Sequence, residues 1–138
     1  MYMHTFYAIF VVAAMSTSLD GPIPAQVERV VDGDTIRVRA DIWIDQSISV
    51  LVRVADIDAP EIFRPKCQTE KLKAREAKAF VADFVSSGNV NLYNIHNGKY
   101  AGRVVARIEN SDGNDLAAAL VAANHAVYGQ RGTWCAAS

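Results

Sequence analysis

An α+β fold, mainly β, built as a small closed barrel of five strands with two or more helices packed on it, is what this sequence predicts. Three observations lead there: apolar residues alternate with period two through several short segments, one longer segment has helical period, and Gly, Asp and Asn punctuate the gaps. The chain has 138 residues, 51% of them apolar and 21% charged. That length suits one hydrophobic core, and the composition carries no disorder or low-complexity signature. No internal repeat is visible.

The amino terminus differs from everything after it. Phe6 to Met15 is an uncharged apolar run, followed by small polar residues at Ser16-Thr17-Ser18, a pattern that resembles a secretory signal. Ten apolar residues are too few to cross a bilayer as a helix, which takes roughly 20, so no stable membrane anchoring is expected. The front end lacks the usual Lys or Arg and offers only its amino group and His4. A buried strand or a misplaced start codon is the plainer alternative. Gly21-Pro22-Ile23-Pro24 then reads as a spacer. Residues 1–25 are thus assigned to signal peptide and spacer and 26–138 to the folded domain, with a secreted or periplasmic location as the expectation.

The formal net charge is −1. Residues 1–25 hold one acid, Asp20, and no Lys or Arg, which leaves 14 basic against 14 acidic groups in the remainder. No broad cationic field follows, so a nucleic-acid partner would have to be met by a local arrangement of arginines.

From Gln26 the elements can be justified in order. Val27, Arg29 and Val31 alternate with Glu28 and Val30, then Ile36 and Val38 alternate with Arg37 and Arg39. This reads as strand, turn, strand. Asp32-Gly33-Asp34 marks the turn, with Gly33 expected to supply positive φ and Asp to cap its own backbone. Ile42 and Ile44 continue extended chain, and Ile48, Val50, Val52 and Val54 line one face of a third strand. Pro60 fixes φ and disfavours helix at Ala59, so the chain leaves that strand sharply after Asp58. From Glu70 to Val85 the period becomes helical, with Leu72, Ala77, Phe80, Val81 and Phe84 as the apolar stripe and Ser87-Gly88 as the stop. Strands follow at Val90 to His96 and Arg103 to Glu109. A second helix starts near Asp115 and stops at Asn124, a residue that tolerates a left-handed cap. Short twisted strands interleaved with helices point to a barrel of the oligonucleotide-binding (OB) type.

Two cysteines, Cys67 and Cys135, are compatible with a disulfide in an exported domain. Closing a loop of about 69 residues would contribute up to about 4 kcal/mol by chain entropy. Two unrelated thiols are the alternative. His4, His96 and His125 are scattered, so a zinc site has no support.

The chemistry concentrates in Arg53 to Glu61, R-V-A-D-I-D-A-P-E, where an arginine and three carboxylates surround one proline-locked turn. Asp34 and Asp58 sit at the ends of two strands that could meet, and their oxygens suit a hard divalent cation such as calcium. Asp32 to Asp34 does not continue into the helix-loop-helix calcium pattern, so the site would be assembled from separate loops. Phosphodiester hydrolysis needs the charge on the phosphoryl oxygens neutralised and a group that takes a proton from water. Arg53 and Arg103 suit the first need and Glu61 the second. Taken singly, Asp-Gly is more often only a turn, and a strand arginine or a lone carboxylate is more often a solvated surface group.

Four motifs in this order resemble the staphylococcal-nuclease-like thermonucleases. They are V-D-G-D-T at Val31 to Thr35, R-x4-D-x-P-E at Arg53 to Glu61, E-K-x4-E-A-x-A-F at Glu70 to Phe80, and G-R at Gly102-Arg103. The resemblance spans roughly Gln26 to Tyr128. It implies a calcium-dependent endonuclease acting on DNA, RNA or both, with 5′-hydroxyl and 3′-phosphate products and single-stranded or unstacked regions favoured. Residue by residue, it implies that Asp34, Asp58 and the Ala59 carbonyl bind calcium, that Arg53 and Arg103 grip the scissile phosphate, and that Glu61 is the general base. Lys99, Tyr100 and Tyr128 would contact substrate, although Tyr128 could equally pack in the core. A monomer is expected.

Three departures stand out. Ala59 replaces the usual threonine, Asp56 is acidic where a small or apolar residue is common, and Lys99-Tyr100-Ala101-Gly102-Arg103 is one residue longer than the usual K-Y-G-R. Asp56 would add a ligand or repel phosphate. The alternative to the enzyme is a non-catalytic OB-type module that binds single-stranded nucleic acid, for which Glu61 would have no purpose.

Overall fold

The computed structural model describes residues 2–5, 7–11, 17–129 and 132–135. Of the apolar stretch read as a leader, Phe6 and Val12 to Met15 lie outside the described residues; Tyr7, Ile9, Phe10 and Val11 are exposed. In chain order the elements are β1 (Ser18–Leu19), β2 (Ile23–Asp32), β3 (Thr35–Trp43), β4 (Gln46–Val54), β5 (Ile57–Asp58), α1 (Gln68–Phe84), β6 (Asn89–Asn97), β7 (Arg103–Asn110), α2 (Leu116–Ala122) and β8 (Val127–Tyr128).

Strands β2, β3 and β4 form an antiparallel meander and β6–β7 an antiparallel hairpin. The hairpin joins the meander on both sides: β6 runs antiparallel to β2, and β7 runs parallel to β4. The result is a closed five-stranded barrel with no free edge among those strands. Alternation makes this possible, because Ile36 and Val38 of β3, Val52 and Val54 of β4, Leu92 of β6 and Ala106 and Ile108 of β7 all turn inward and are buried. Bulges in β2 between Val27 and Arg29 and between Val30 and Asp32 interrupt its alternation and add the local twist that closure needs.

Helix α1 lays Ala74, Ala77 and Val81 against the barrel, and α2 adds Leu116 and Leu120. Leu72, expected on that stripe, is exposed. The helix turns its alanine side inward instead, which lets its backbone approach the sheet closely. Cys67 is the N-cap, its Sγ accepting from the Glu70 N–H at 3.3 Å. Asp115 caps α2 by accepting from the Ala118 N–H at 2.9 Å. At the other end the N–H of Asn124 donates to Val121 and that of His125 to Leu120, with Asn124 at φ 63°. That is the paired hydrogen-bond pattern of a left-handed C-terminal cap.

Two sequence expectations need correction. The sheet does not wait until Gln26, because Ser18 and Leu19 pair with β6 and Ile23, Pro24 and Ala25 pair with Leu92, Asn91 and Val90. Ala25 is buried, so the segment read as a spacer continues the inward alternation of β2. Gly33 is not at positive φ. Its requirement is steric: a Cβ there would lie 2.7 Å from the Ala77 Cβ and 3.3 Å from the Ala59 Cβ. The Asp32–Asp34 turn is thereby pressed against α1.

Gly33→Ala should therefore destabilise the protein by about 1–3 kcal/mol through overpacking. Urea unfolding checks this, and a midpoint equal to wild type would show that α1 yields freely at Ala77.

Candidate functional site

The site lies at the rim where β3 begins, β4 ends and β5 follows. Thr35 pairs with Arg53 across β3 and β4, and the Val54 N–H donates to the Asp34 carbonyl at 2.8 Å, so the Asp34 turn and the Arg53 strand end are locked side by side. Arg53 then folds back over its own loop. Its Nη1 donates to the Val54 carbonyl at 2.9 Å, and its Nη2 donates to the Ile57 carbonyl at 3.0 Å and to Asp34 Oδ2 at 3.4 Å. A guanidinium has five N–H donors. Three bonds therefore leave donors to spare on a partly exposed side chain.

Asp34 is buried and also accepts from the Thr35 hydroxyl at 3.0 Å. Asp58, in β5 opposite Val127, accepts at Oδ2 from the Gly132 N–H at 2.7 Å. Ala59 is buried, with the cramped space beside Gly33 explaining why a small residue stands there. Arg103 opens β7 opposite Leu51, while Arg53 faces Val105. The two arginines are thus one two-residue step apart on the same outward face of neighbouring strands, roughly 8 Å between their backbones. Among the described residues the Arg103 guanidinium has no hydrogen bond or ion pair.

Glu61 is exposed, and a residue that sequence reasoning left in the helix motif places it. Glu70 is buried; its Oε2 accepts from the Glu61 N–H at 3.1 Å and its Oε1 from the Lys66 N–H at 2.7 Å. One carboxylate ties both ends of the 61–66 loop to the first turn of α1. The signal was there as C-x-x-E, the capping-box spacing with cysteine in place of serine, although Glu70 reaches past the cap to the Lys66 N–H.

Carboxylates crowd this rim. Partial burial, then the charges of Asp34, Asp58 and Glu70, push the Glu61 carboxyl above its ordinary range, and Arg53 opposes them. Asp32, also overlooked by sequence reasoning except as a turn residue, is raised to about 7 by burial and then by Asp34. Such an excess of buried and neighbouring oxygen anions is the chemistry a hard cation relieves. Among the described residues no three His, Cys, Asp or Glu side chains form a ready cage. Asp34, Asp58 and the Ala59 carbonyl are oxygen donors of the kind a hard cation takes.

Two cavities share the short strand β5. One, of about 640 Å³, is lined by Arg53, Asp56, Ile57, Tyr128 and Gly129. Tyr128 is exposed and forms its wall, so this ring does not pack in the core. Asp56 has φ 65° and its carbonyl accepts from the Gly129 N–H. An aspartate tolerates that left-handed turn better than a branched or apolar residue would. The other cavity, of about 680 Å³, is lined by Asp58, Ala59, Glu61, Lys66, Glu70 and the 132–135 segment. Cys67 and Cys135 are joined by a disulfide, which holds that segment against the site. Lys99 and Tyr100 line neither cavity; they stack on each other in the exposed loop before Arg103, with Lys99 Nζ 5.8 Å from the ring centre.

A closed five-stranded barrel with two helices is the OB-type architecture. A family model described as staphylococcal nuclease homologue matches residues 51–134, and the chain belongs to that family. The matched range holds Arg53, Asp58, Glu61 and Arg103 and begins after Asp34. No curated protein matches the chain. Family membership suggests a nuclease or nucleic-acid-binding function.

The raised Asp32 has a direct consequence for stability. Its folded value of about 7 exceeds the ordinary 3.8, so folding favours the protonated form, and its contribution is complete below about pH 4 and lost as pH rises through about 7. With chelator present, Asp32→Asn should flatten the decline in urea midpoint over that window. A decline unchanged by the substitution would assign the titration elsewhere.

Proposed function

We propose that this protein is a calcium-dependent nuclease that hydrolyses phosphodiester bonds of DNA or RNA to 3′-phosphate and 5′-hydroxyl ends. What supports the reading is that Arg53 pairs with Asp34 and that the Glu61 carboxyl feels the charges of Asp34, Asp58 and Arg53 from the same rim. A binding module needs positive charge and aromatic faces, and has no use for a carboxylate whose proton affinity is raised.

Asp34, Asp58 and the Ala59 carbonyl would hold calcium, the Gly132 N–H keeping Asp58 oriented through Oδ2. The chemistry calcium would supply there is positive charge to offset that of the phosphoryl group. Arg53 presents its spare N–H groups to a phosphoryl oxygen while its loop bonds keep it from swinging away. Arg103, free of protein partners among the described residues, meets the charge that builds as the phosphorus becomes five-coordinate. Glu61 takes a proton from water as the water oxygen bonds to phosphorus. The bond from phosphorus to the 5′ oxygen breaks, and that oxygen is protonated by solvent, leaving the phosphate on the 3′ side. Burial of part of the Glu61 carboxyl favours its taking a proton, which suits a base.

Export fits the same reading. Tyr7 to Val11 is apolar yet exposed, as expected of a leader with no place in the fold, and the disulfide suits an oxidising compartment. Among the described residues no helix is long and apolar enough to cross a membrane. The domain acts as a monomer.

Purified protein should digest single-stranded DNA with calcium and stop on addition of chelator; binding without digestion in calcium would make it a binding module. Glu61→Gln should lower turnover at least about a hundredfold while calcium-dependent nucleotide binding persists. Turnover near wild type would remove Glu61 from the role of base.

A further inference from the structure

The 680 Å³ cavity has a wall that the nuclease reading leaves without a purpose. On one side stand Asp58 and Glu61, the candidate metal ligand and base. On the other stand Gly132, Thr133 and Trp134, brought there by the Cys67–Cys135 disulfide from far along the chain. Gly132 permits the arrangement, because a Cβ at that position would collide with the indole, lying 2.7 Å from its Nε1. The same backbone gives its N–H to Asp58. The indole Nε1 is shielded from water and has no hydrogen-bond partner among the described residues, so packing on Gly132 is what holds the ring beside the cavity. Lys66 lines the cavity too, and its ammonium is unpaired among the described residues. An aromatic side chain and an unpaired cation lining the same cavity as Asp58 and Glu61 are the two things a single-stranded residue needs. The volume also lies within the range of small-molecule sites.

Building on the nuclease reading, we propose that this cavity is a subsite for the nucleotide next to the scissile bond. Its base stacks on Trp134, its phosphate meets Lys66, and the disulfide keeps the wall in place. The subsite requires an unpaired base, since a base inside a duplex has no free face to offer. Substrate preference for single-stranded or unstacked regions therefore resides in the tail. The Arg53–Tyr128 cavity on the other side of β5 takes no part in it.

The chain has two tryptophans, and Trp43 is exposed at the far tip of the β3–β4 hairpin. Trp43→Phe thus leaves Trp134 as the sole indole reporter, and Glu61→Gln in the same chain prevents cutting. Titration of this protein with a short deoxyoligonucleotide in calcium should quench Trp134 fluorescence saturably. Trp134→Ala should weaken binding, followed by polarisation of a labelled strand, about tenfold, and Trp134→Phe should restore most of it while Trp134→Leu does not. Lys66→Ala should lower the slope of log affinity against log salt by about one phosphate contact. Reduction with a dithiol, or Cys67→Ser with Cys135→Ser, should reproduce the Trp134→Ala loss; serine at 67 preserves the cap of α1. Binding and calcium-dependent cutting with no quench and full affinity in Trp134→Ala would overturn the subsite and leave the nuclease reading standing. Absence of any oligonucleotide binding would overturn both.

Discussion

The fork made by Arg53 is the interaction on which the site depends. Its guanidinium bonds to two carbonyls of the β4–β5 turn and to the Asp34 carboxylate, closing a sharp loop that has only a two-residue strand to stabilise it. Backbone carbonyls at a barrel rim would otherwise need water or a helix to satisfy them. Because the same cation balances Asp34, loop geometry and site electrostatics cannot be set independently. A lysine would keep the charge and lose the fork, since it cannot span three acceptors in one plane.

A second tier of organisation comes from Glu70. Burying a carboxylate is costly unless its oxygens are matched, and here each accepts one main-chain N–H from the loop that carries Glu61 and Lys66. The loop is otherwise exposed along Phe63 and Arg64. Glu61 and Lys66, whose N–H groups Glu70 holds, both line the cavity. Gly33 acts in the same direction from the other side, letting α1 lie close enough that Glu70 reaches the rim.

Much of the barrel was legible in the sequence because its strands have one wet and one dry face. Ile36-Arg37-Val38 and Val52-Arg53-Val54 display that contrast in consecutive residues. Strands β1, β5 and β8 are two residues each and too short for any period to register. The extension of β2 into Ile23-Pro24-Ala25 was hidden by prolines, which read as punctuation yet are tolerated where a strand begins. The motif residues Asp34, Arg53, Asp58 and Glu61 were visible as chemistry because charge around a proline-locked turn is unusual. Gly132 was not, since its N–H meets Asp58 from 74 residues away, and Trp134 reaches the cavity only through the Cys67–Cys135 bridge; Glu70 was visible as a helix residue but not as the anchor of the 61–66 loop. Gly33 shows the same limit in miniature: its identity was legible, and its reason, contact with Ala77, was tertiary.

Closure through the parallel β4–β7 pair has a consequence for how the molecule comes into being. Leu51 meets Arg103 and Val54 meets Ala106, so a helix and a full strand must be laid down between partners before the cylinder can shut. Such non-local pairing slows the search for the native topology. During synthesis the β2–β3–β4 meander emerges as an open sheet whose β4 edge waits for its neighbour. Until β7 arrives at that edge the barrel has an open seam, and its inward face cannot be kept dry.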